Sequence, residues 1–229
     1  AQESRGLGDV YKRQGLFSAQ KREATMDSNF IKDPANPVLI KSEVAGSYAN
    51  GITPARLKWT TDEAVAKSDA GLVAAVQDTG EALSVRFAPI ALPCARNIRA
   101  VAGGTSTDIK AIQATVYGLR NGVEVSEVLP AFTVNVAGGV EGAKTMDFMT
   151  GYDLPPHDGT GATTSFGWGD KLGIDHLLYS NSVLKAYHNK TPEGAAPTVT
   201  TSANALESNG LTLDTALDGS EVAVDLMLP

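Results

Sequence analysis

Residues able to do chemistry are few in this sequence. The three histidines are His157, His176 and His188, and Cys94 is the single thiol. Two metal-ligating histidines on one helix face need a spacing such as H-x-x-x-H, and no such pair occurs. Cys94 has no neighbouring base that would activate it as a nucleophile. We therefore expect exposed loop histidines, a core thiol, and no catalytic or metal-ligating residues, unless the sheet topology brings the histidines together.

Glycine-rich stretches suggest ligand loops but lack the flanking chemistry. The string Asp158-Gly159-Thr160-Gly161 resembles the start of a calcium loop, yet the alternating acidic ligands and the final bidentate glutamate are missing. The glycine pairs at 103–104 and 138–139 lack the strand and helix that frame a phosphate-binding loop. Glu124 and Glu127 fall on opposite faces of a predicted strand, which disfavours joint acid–base work. These patterns predict no cofactor.

Aromatic residues offer a different chemistry, stacking on a sugar ring. The candidates for such a platform are Trp59, Tyr117, Tyr152, Trp168 and Tyr187. A β-sandwich core also needs large aromatic side chains, so core packing is the competing interpretation.

The elements that must position these residues are short β-strands. Apolar and polar residues alternate with a period of two in most segments between turn clusters, and the clusters recur about every ten residues. Asn121-Gly122 is a type I′ hairpin signal, because both central positions of that turn require positive φ. Only one stretch, near Asp62, resembles a helix start. The predicted strands lie at 71–76, 83–87, 97–101, 112–118, 123–128, 131–136, 145–149, 182–187 and 220–226. This pattern predicts an all-β fold, an antiparallel β-sandwich or a jelly-roll-like arrangement.

Composition sets the broad class. The chain has 229 residues, of which 42% are hydrophobic and 20% charged, enough apolar side chains for a packed core. No apolar run approaches the roughly 20 residues of a membrane helix, so we expect no membrane partner. The formal net charge of −7 disfavours nucleic acid as the main partner, because like charges repel.

The first residues need separate treatment. Residues 1–14 end in Asp9-Val10-Tyr11-Lys12-Arg13-Gln14, which looks like the translation of a transposon end used in sequencing libraries, so we expect the native chain to start at or after Gly15. Residues 15–60 contain Pro34 and Pro37 and are predicted to form an irregular N-terminal extension. The predicted β-sandwich domain spans residues 61–229.

A series of strings resembles a family of β-rich structural proteins encoded among the virion genes of tailed bacteriophages and prophages. The matching strings are PCARNI (93–98), GTSTDIKAI (104–112), EVLPAFTVN (127–135), PHDGTGATT (156–164), GDKLG (169–173) and APTVTTS (196–202). The resemblance implies a noncatalytic protein of the virion, which decorates the head, joins head to tail or belongs to the tail. Of these positions we expect a head decoration or other capsid-associated component. Its partners would be other virion proteins, and it would act as a homo-oligomer or on a symmetric lattice. A carbohydrate-binding module of a phage tail or of a secreted protein is the alternative.

The segment 158–171 is the predicted interaction loop. Its glycines allow close approach of a partner backbone, and its aromatic residues can bury apolar area. The alternative is that both aromatic side chains fill the core. The candidate contact residues are Asp158, Gly159, Gly161, Phe166, Trp168, Asp170 and Lys171.

Overall fold

A computed structural model describes residues 53–228 of the chain. The interpretation of residues 1–14 as a library sequence, and of 15–52 as irregular, concerns residues outside this range. Within it the regular structure is β-strand, apart from two single 3-10 turns at Ser106–Asp108 and Leu206–Ser208. No helix of the described residues is long and apolar enough to cross a membrane. The predicted all-β antiparallel fold is confirmed.

Twelve strands follow one another along the described chain. They are β1 (Thr53–Trp59), β2 (Val73–Gln77), β3 (Leu83–Gly104), β4 (Thr115–Arg120), β5 (Val123–Val128), β6 (Gly138–Leu154), β7 (Ala162–Gly173), β8 (Val183–His188), β9 (Thr191–Pro192), β10 (Thr198–Thr200), β11 (Gly210–Thr212) and β12 (Val222–Leu228).

These strands form two antiparallel sheets. The smaller sheet has the order β1-β12-β8-β9. The larger has the order β10-β11-β7-β3-β6-β4-β5, with β2 also pairing with β7. Its longest strand, β3, has 22 residues and pairs with β6 through three register shifts, at 86–90, 91–96 and 97–99. Such bulges bend a strand and increase its twist, so the large sheet curls strongly.

The buried apolar residues form two clusters. One lies within the curl of the large sheet and contains Ile98, Met149 and Phe166, all fully buried. The other joins the small sheet to the β7–β11 end of the large one, and contains Trp59, Leu172 and residues of β8 and β12. The two sheets are therefore held together by side chains that alternate inward along their strands, as in a sandwich.

The β4–β5 hairpin has the geometry that its sequence predicts. Asn121 has a φ of 50° and Gly122 a φ of 79°, and Arg120 pairs with Val123 across the turn. These values are those of a type I′ turn, whose twist matches that of the flanking strands. The hairpin prediction is confirmed.

The prediction for residues 131–139 is wrong. No strand forms at 131–136; instead the segment turns at Val134-Asn135, with Asn135 at a φ of 59°. β5 ends at Val128. The amides of Leu129 and Phe132 still donate to Ala114 and Ile112, at 2.8 and 3.1 Å, but the step of three residues between these donors breaks the alternation of a regular ladder. The glycines 138–139, expected to break the chain, begin β6 instead and pair with β3.

The predicted start of the domain at residue 61 is also too late. Residues 53–59, assigned to the irregular extension, form β1 and pair with β12 along its whole length. Trp59 at the end of β1 is buried in the core. The sheet thus begins within the segment that Pro34 and Pro37 made look irregular. Pro54 lies inside β1, near its start, where a proline is tolerated in a strand.

Candidate functional site

The segment predicted as an interaction loop is mostly a central strand. Its residues from Ala162 onward form β7, which lies between β3 on one side and β2 and β11 on the other. Phe166 is 0% exposed and stacks near Tyr152, at 4.6 Å between ring centroids. The Trp168 indole donates to the backbone oxygen of Ala66 at 3.0 Å. Phe166 therefore fills the core, and this part of the contact prediction is wrong.

The glycines of this segment serve the packing of the protein's own backbone. A Cβ built on Gly167 would lie 2.0 Å from the backbone oxygen of Ser68. The amide of Ser68 donates to the Trp168 oxygen at 3.0 Å, so residues before β2 run directly against β7. A side chain at position 167 has no room there, which is why a strand of this sheet contains a sequence that resembles a loop.

The other predicted contact residues have partners within the chain. Asp158 forms an ion pair with Lys110 at 2.9 Å, and Asp170 one with Lys67 at 3.0 Å. Gly161 donates to Asp108 at 3.0 Å, and a Cβ on Gly159 would lie 2.5 Å from the Asp108 carboxyl carbon. The Lys171 ammonium donates to the Ala143 oxygen at 2.9 Å. The turn at 158–161 is thus held by Asp108 of the adjacent 3-10 turn. The residues from Ala162 onward are held by the pairing of β7 with its neighbouring strands.

His157 is buried, which corrects its assignment as an exposed loop histidine. Its Nδ1 atom accepts the Lys110 backbone N–H at 3.1 Å, so the neutral ring carries its proton on Nε2, 3.2 Å from the Thr164 hydroxyl. Its own backbone N–H donates to Asp78. Burial lowers the pKa of His157, and the Asp78 charge opposes this shift only in part. The side chain therefore joins three segments as a neutral imidazole.

This environment predicts a pH-dependent stability. We expect the free energy of unfolding to fall as the pH drops through 6.5, the ordinary histidine value, because the unfolded chain then binds a proton that the buried ring resists. This contribution is fully present above that pH and is lost progressively below it. In His157→Asn, Oδ1 replaces Nδ1 as acceptor without titrating. Urea titrations between about pH 7 and about pH 5 should therefore show a shallower fall than in wild type. His176→Asn is the control, because His176 is exposed. If the free energy of unfolding falls with pH as steeply in His157→Asn as in His176→Asn, this assignment is contradicted.

Of the remaining reactive residues in the described chain, Cys94 and His176 line one cavity of about 280 Å³ together with Glu63 and Asp175. Burial raises the pKa of the Cys94 thiol to about 12, so the thiol stays protonated and unreactive at neutral pH. His188 pairs with Asp218 at 3.0 Å, far along the chain from His157. No group of three histidine, cysteine or acidic side chains with metal-site geometry occurs in residues 53–228.

The five aromatic residues do not form a common platform. Trp59 and Tyr152 are buried in the two different core clusters. The Arg86 guanidinium lies over the Tyr117 ring, with its Cζ atom 3.8 Å from the ring centroid. The Tyr117 hydroxyl donates a hydrogen bond to Asp153. Tyr187 is similarly approached by Arg56, at 5.2 Å. These rings therefore pack against the protein's own side chains.

A groove at the hairpin end of the large sheet is the strongest candidate site. It has a volume of about 890 Å³ and opens between the β4–β5 hairpin, the loop after β7, and the 3-10 turn at Leu206–Ser208. Tyr179 on its rim is 76% exposed, and Val123 and Leu177 are exposed as well. The lining residues are Arg120, Asn121, Val123, Val125, Asp175, His176, Leu177, Tyr179, Asn204, Leu206, Glu207 and Leu228.

The floor of the groove is a buried arginine. Arg120 is 3% exposed and donates to Asp147 and Asp175, each at 2.7 Å. Asp147 also accepts the Asn121 backbone N–H, which ties the hairpin turn to β6. The Arg120 Nε atom has no hydrogen-bond partner among the described residues. Two carboxylates thus oppose the charge of the guanidinium.

The outer edge of β5 adjoins the groove. β5 pairs with β4 on one side and has no strand partner on the other within the described part of the chain. Val123 and Val125 line the groove, while Glu124 between them is exposed. An open sheet edge presents backbone N–H and C=O groups that another chain can pair with.

The sequence gives little signal for this site. Its residues come from four segments, around 120–125, 175–179, 204–207 and 228, and none of these contains a known motif. The useful signal is the hairpin, which predicts where β5 begins but not that its outer side lacks a strand partner among the described residues.

No family model matches the chain, and neither the curated proteins nor the solved structures contain a significant match. The functional assignment therefore depends on the geometry and on the strings described above.

Proposed function

We propose that this protein is a noncatalytic structural component of tailed-bacteriophage particles, a head decoration or other capsid-associated protein that acts through protein–protein contacts. The observation that carries the proposal is the groove rim, where the exposed side chains of Val123, Leu177 and Tyr179 lie around one concavity. Contiguous apolar surface of this kind, bordered by polar residues, is typical of interaction sites. Its partners are other virion proteins.

The composition and architecture suit such a role. Antiparallel strands with long ladders bury most backbone polar groups, and a sheet edge and loops remain for contacts with neighbours. The net charge of −7 limits adhesion to a packaged genome. On a symmetric particle many copies bind together, so a modest contact per copy suffices. The phage assignment itself is supported by the ordered strings from PCARNI to APTVTTS.

Mass spectrometry of purified particles tests the assignment. Particles from the source of this gene are banded in a density gradient after nuclease treatment, and peptides of this chain are quantified against the major capsid protein. We expect a stoichiometric amount in the particle band and little in the soluble fraction. Absence from the band, or hydrolase activity of the isolated protein, would refute the proposal.

The groove contact has its own test. We expect Tyr179→Ser to reduce the number of copies on each particle at least tenfold with an unchanged melting temperature, because the ring is exposed and contributes little to folding. Leu184→Ser is the matched control, since Leu184 is also exposed but lies outside the groove. Equal occupancy for the two variants would place the contact elsewhere on the protein.

A further inference from the structure

We propose that the groove binds an extended segment of a partner protein, with alternating apolar residues and at least one lysine or arginine, as an added strand on β5. This inference rests on the proposed function, because it names the chemistry of the partner that the groove contacts. Three features support it: the direction of the outward-facing backbone groups on β5, the spacing of the groove's apolar side chains, and the charge of the rim.

The hairpin geometry determines which backbone groups of β5 point outward. In a two-residue hairpin the residues that flank the turn, Arg120 and Val123, exchange hydrogen bonds, and bonded pairs then alternate along the ladder. The amides of Val125 and Glu127 therefore face β4, and those of Glu124 and Ser126 face the open edge. The Lys144 ammonium, 3.1 Å from the Ser126 oxygen, agrees with this direction. An incoming strand would pair with these outward groups and replace Lys144 at that oxygen.

The apolar side chains have the spacing that an added strand requires. Val123 and Val125 are two residues apart and both line the groove. Side chains of a neighbouring strand stand beside them at the same period of two. Leu177 and Tyr179 line the same groove, so alternate side chains of the incoming segment would meet apolar surface from both β5 and this loop.

The charges favour a basic partner. Asp175 remains 78% exposed although it binds Arg120, and Glu207 stands on the same groove. The Arg120 charge is already opposed by two carboxylates, and Lys144 lies 3.6 Å from Glu207. The surplus is negative, and complementary charge favours correct partners and speeds association. A two-fold contact between two such grooves would bring both acidic rims together, so we favour a different protein over a second copy.

Displayed peptides test the proposal without a known partner. A random octapeptide library is selected on the wild-type protein, and the dissociation constants of enriched peptides are measured by fluorescence anisotropy. We expect alternating apolar residues with lysine or arginine, and weaker binding at high salt because screening reduces the attraction. Enrichment of acidic sequences, or no enrichment, would overturn the proposal.

Ser126→Pro tests strand addition directly. Proline at this edge position removes one outward N–H and leaves the bonds to β4 intact. We expect binding to weaken at least tenfold, while Ser126→Thr binds like wild type. Because the proline variant can also perturb the hairpin, enriched peptides with N-methyl groups on alternate amides are measured on the unchanged protein. Two peptide series are compared, one methylated on the odd amides and one on the even amides. If neither series binds more weakly, and Ser126→Pro binds like wild type, strand pairing is refuted.

The outcomes separate this inference from the proposed function. If Tyr179→Ser lowers particle occupancy but peptide binding does not need the β5 amides, the inference is wrong and the function stands. If basic peptides bind β5 but the protein is absent from particles, the function is wrong and the docking mode stands. A dimer in sedimentation equilibrium that Tyr179→Ser dissociates would show that a second copy occupies the groove, which refutes the inference.

Discussion

Arg96→Met is expected to destabilise the protein by about 3–5 kcal/mol, because each buried acceptor left without a donor costs about 1–3 kcal/mol. Arg96 is 0% exposed and donates to three backbone oxygens. Its Nε and Nη2 atoms bind the oxygen of Gly169 in β7, with the Nε distance at 2.9 Å. Its Nη1 atom binds the oxygens of Glu63 and Val65 at 3.3 and 3.0 Å. One side chain thus joins β3, β7 and the segment after β1.

The guanidinium has these oxygens as its partners and no carboxylate ion pair among the described residues. Burial lowers its pKa, and the nearby charges of Asp170 and Glu141 oppose this shift only in part. We expect Arg96→Lys to be intermediate, since one ammonium cannot reach oxygens on both sides. Thermal and urea unfolding measure the effect, which corresponds to a melting temperature lower by roughly 10 °C in a chain of this size.

A matched arginine provides the control. Arg86 stands on the same strand but is exposed and binds Asp153 at the surface. Arg86→Met should therefore change the stability far less than Arg96→Met. Equal effects of the two substitutions would show that the buried hydrogen bonds contribute little to the fold.

Phe166→Ala is expected to cost about 3–5 kcal/mol, as for other fully buried phenylalanines. The ring is 0% exposed, and the backbone on either side of it is paired with Ala100 of β3 and Val73 of β2. A cavity at this position cannot collapse, because strands fix the backbone on both sides.

Tyr179→Ala is the comparison for this prediction. Tyr179 is 76% exposed, so its truncation should change the stability by about 0.5 kcal/mol or less. The two aromatic residues therefore separate folding from contact: Phe166 should affect unfolding and Tyr179 particle binding. The opposite result, a stable Phe166→Ala variant that no longer binds particles, would restore segment 158–171 as the contact edge.

The sequence alone was sufficient for the fold class and for the hairpin. Alternation with a period of two reports which faces are buried, and this depends only on neighbouring residues. Asn121-Gly122 predicts its turn for an equally local reason, since few other residue pairs tolerate positive φ at both positions. For the same reason the borders of β5 and β8 came within one residue of those observed.

Local patterns failed where a residue type has two structural uses. Glycines near Gly167 look like a loop in the sequence, but they let a buried strand and a neighbouring backbone approach closely. Residues 131–136 alternate like a strand, yet their amides donate at an interval of three residues, from Phe132 to Ile112 and from Asn135 to Ile109, which is not the pairing of a strand. Choosing between such uses requires knowing which distant segment of the chain packs against these residues.

Only the tertiary structure decided where the interaction surface lies. Sequence alone determined that the chain builds antiparallel sheets with a tight turn at Asn121-Gly122, because those properties are set by adjacent residues. The groove depends on strand order, which leaves β5 at the end of the sheet formed by the described residues and places Val123 and Tyr179 on one groove. Strand order is set by contacts between residues far apart in the chain, and its result is that Phe166 is buried while Tyr179 remains exposed.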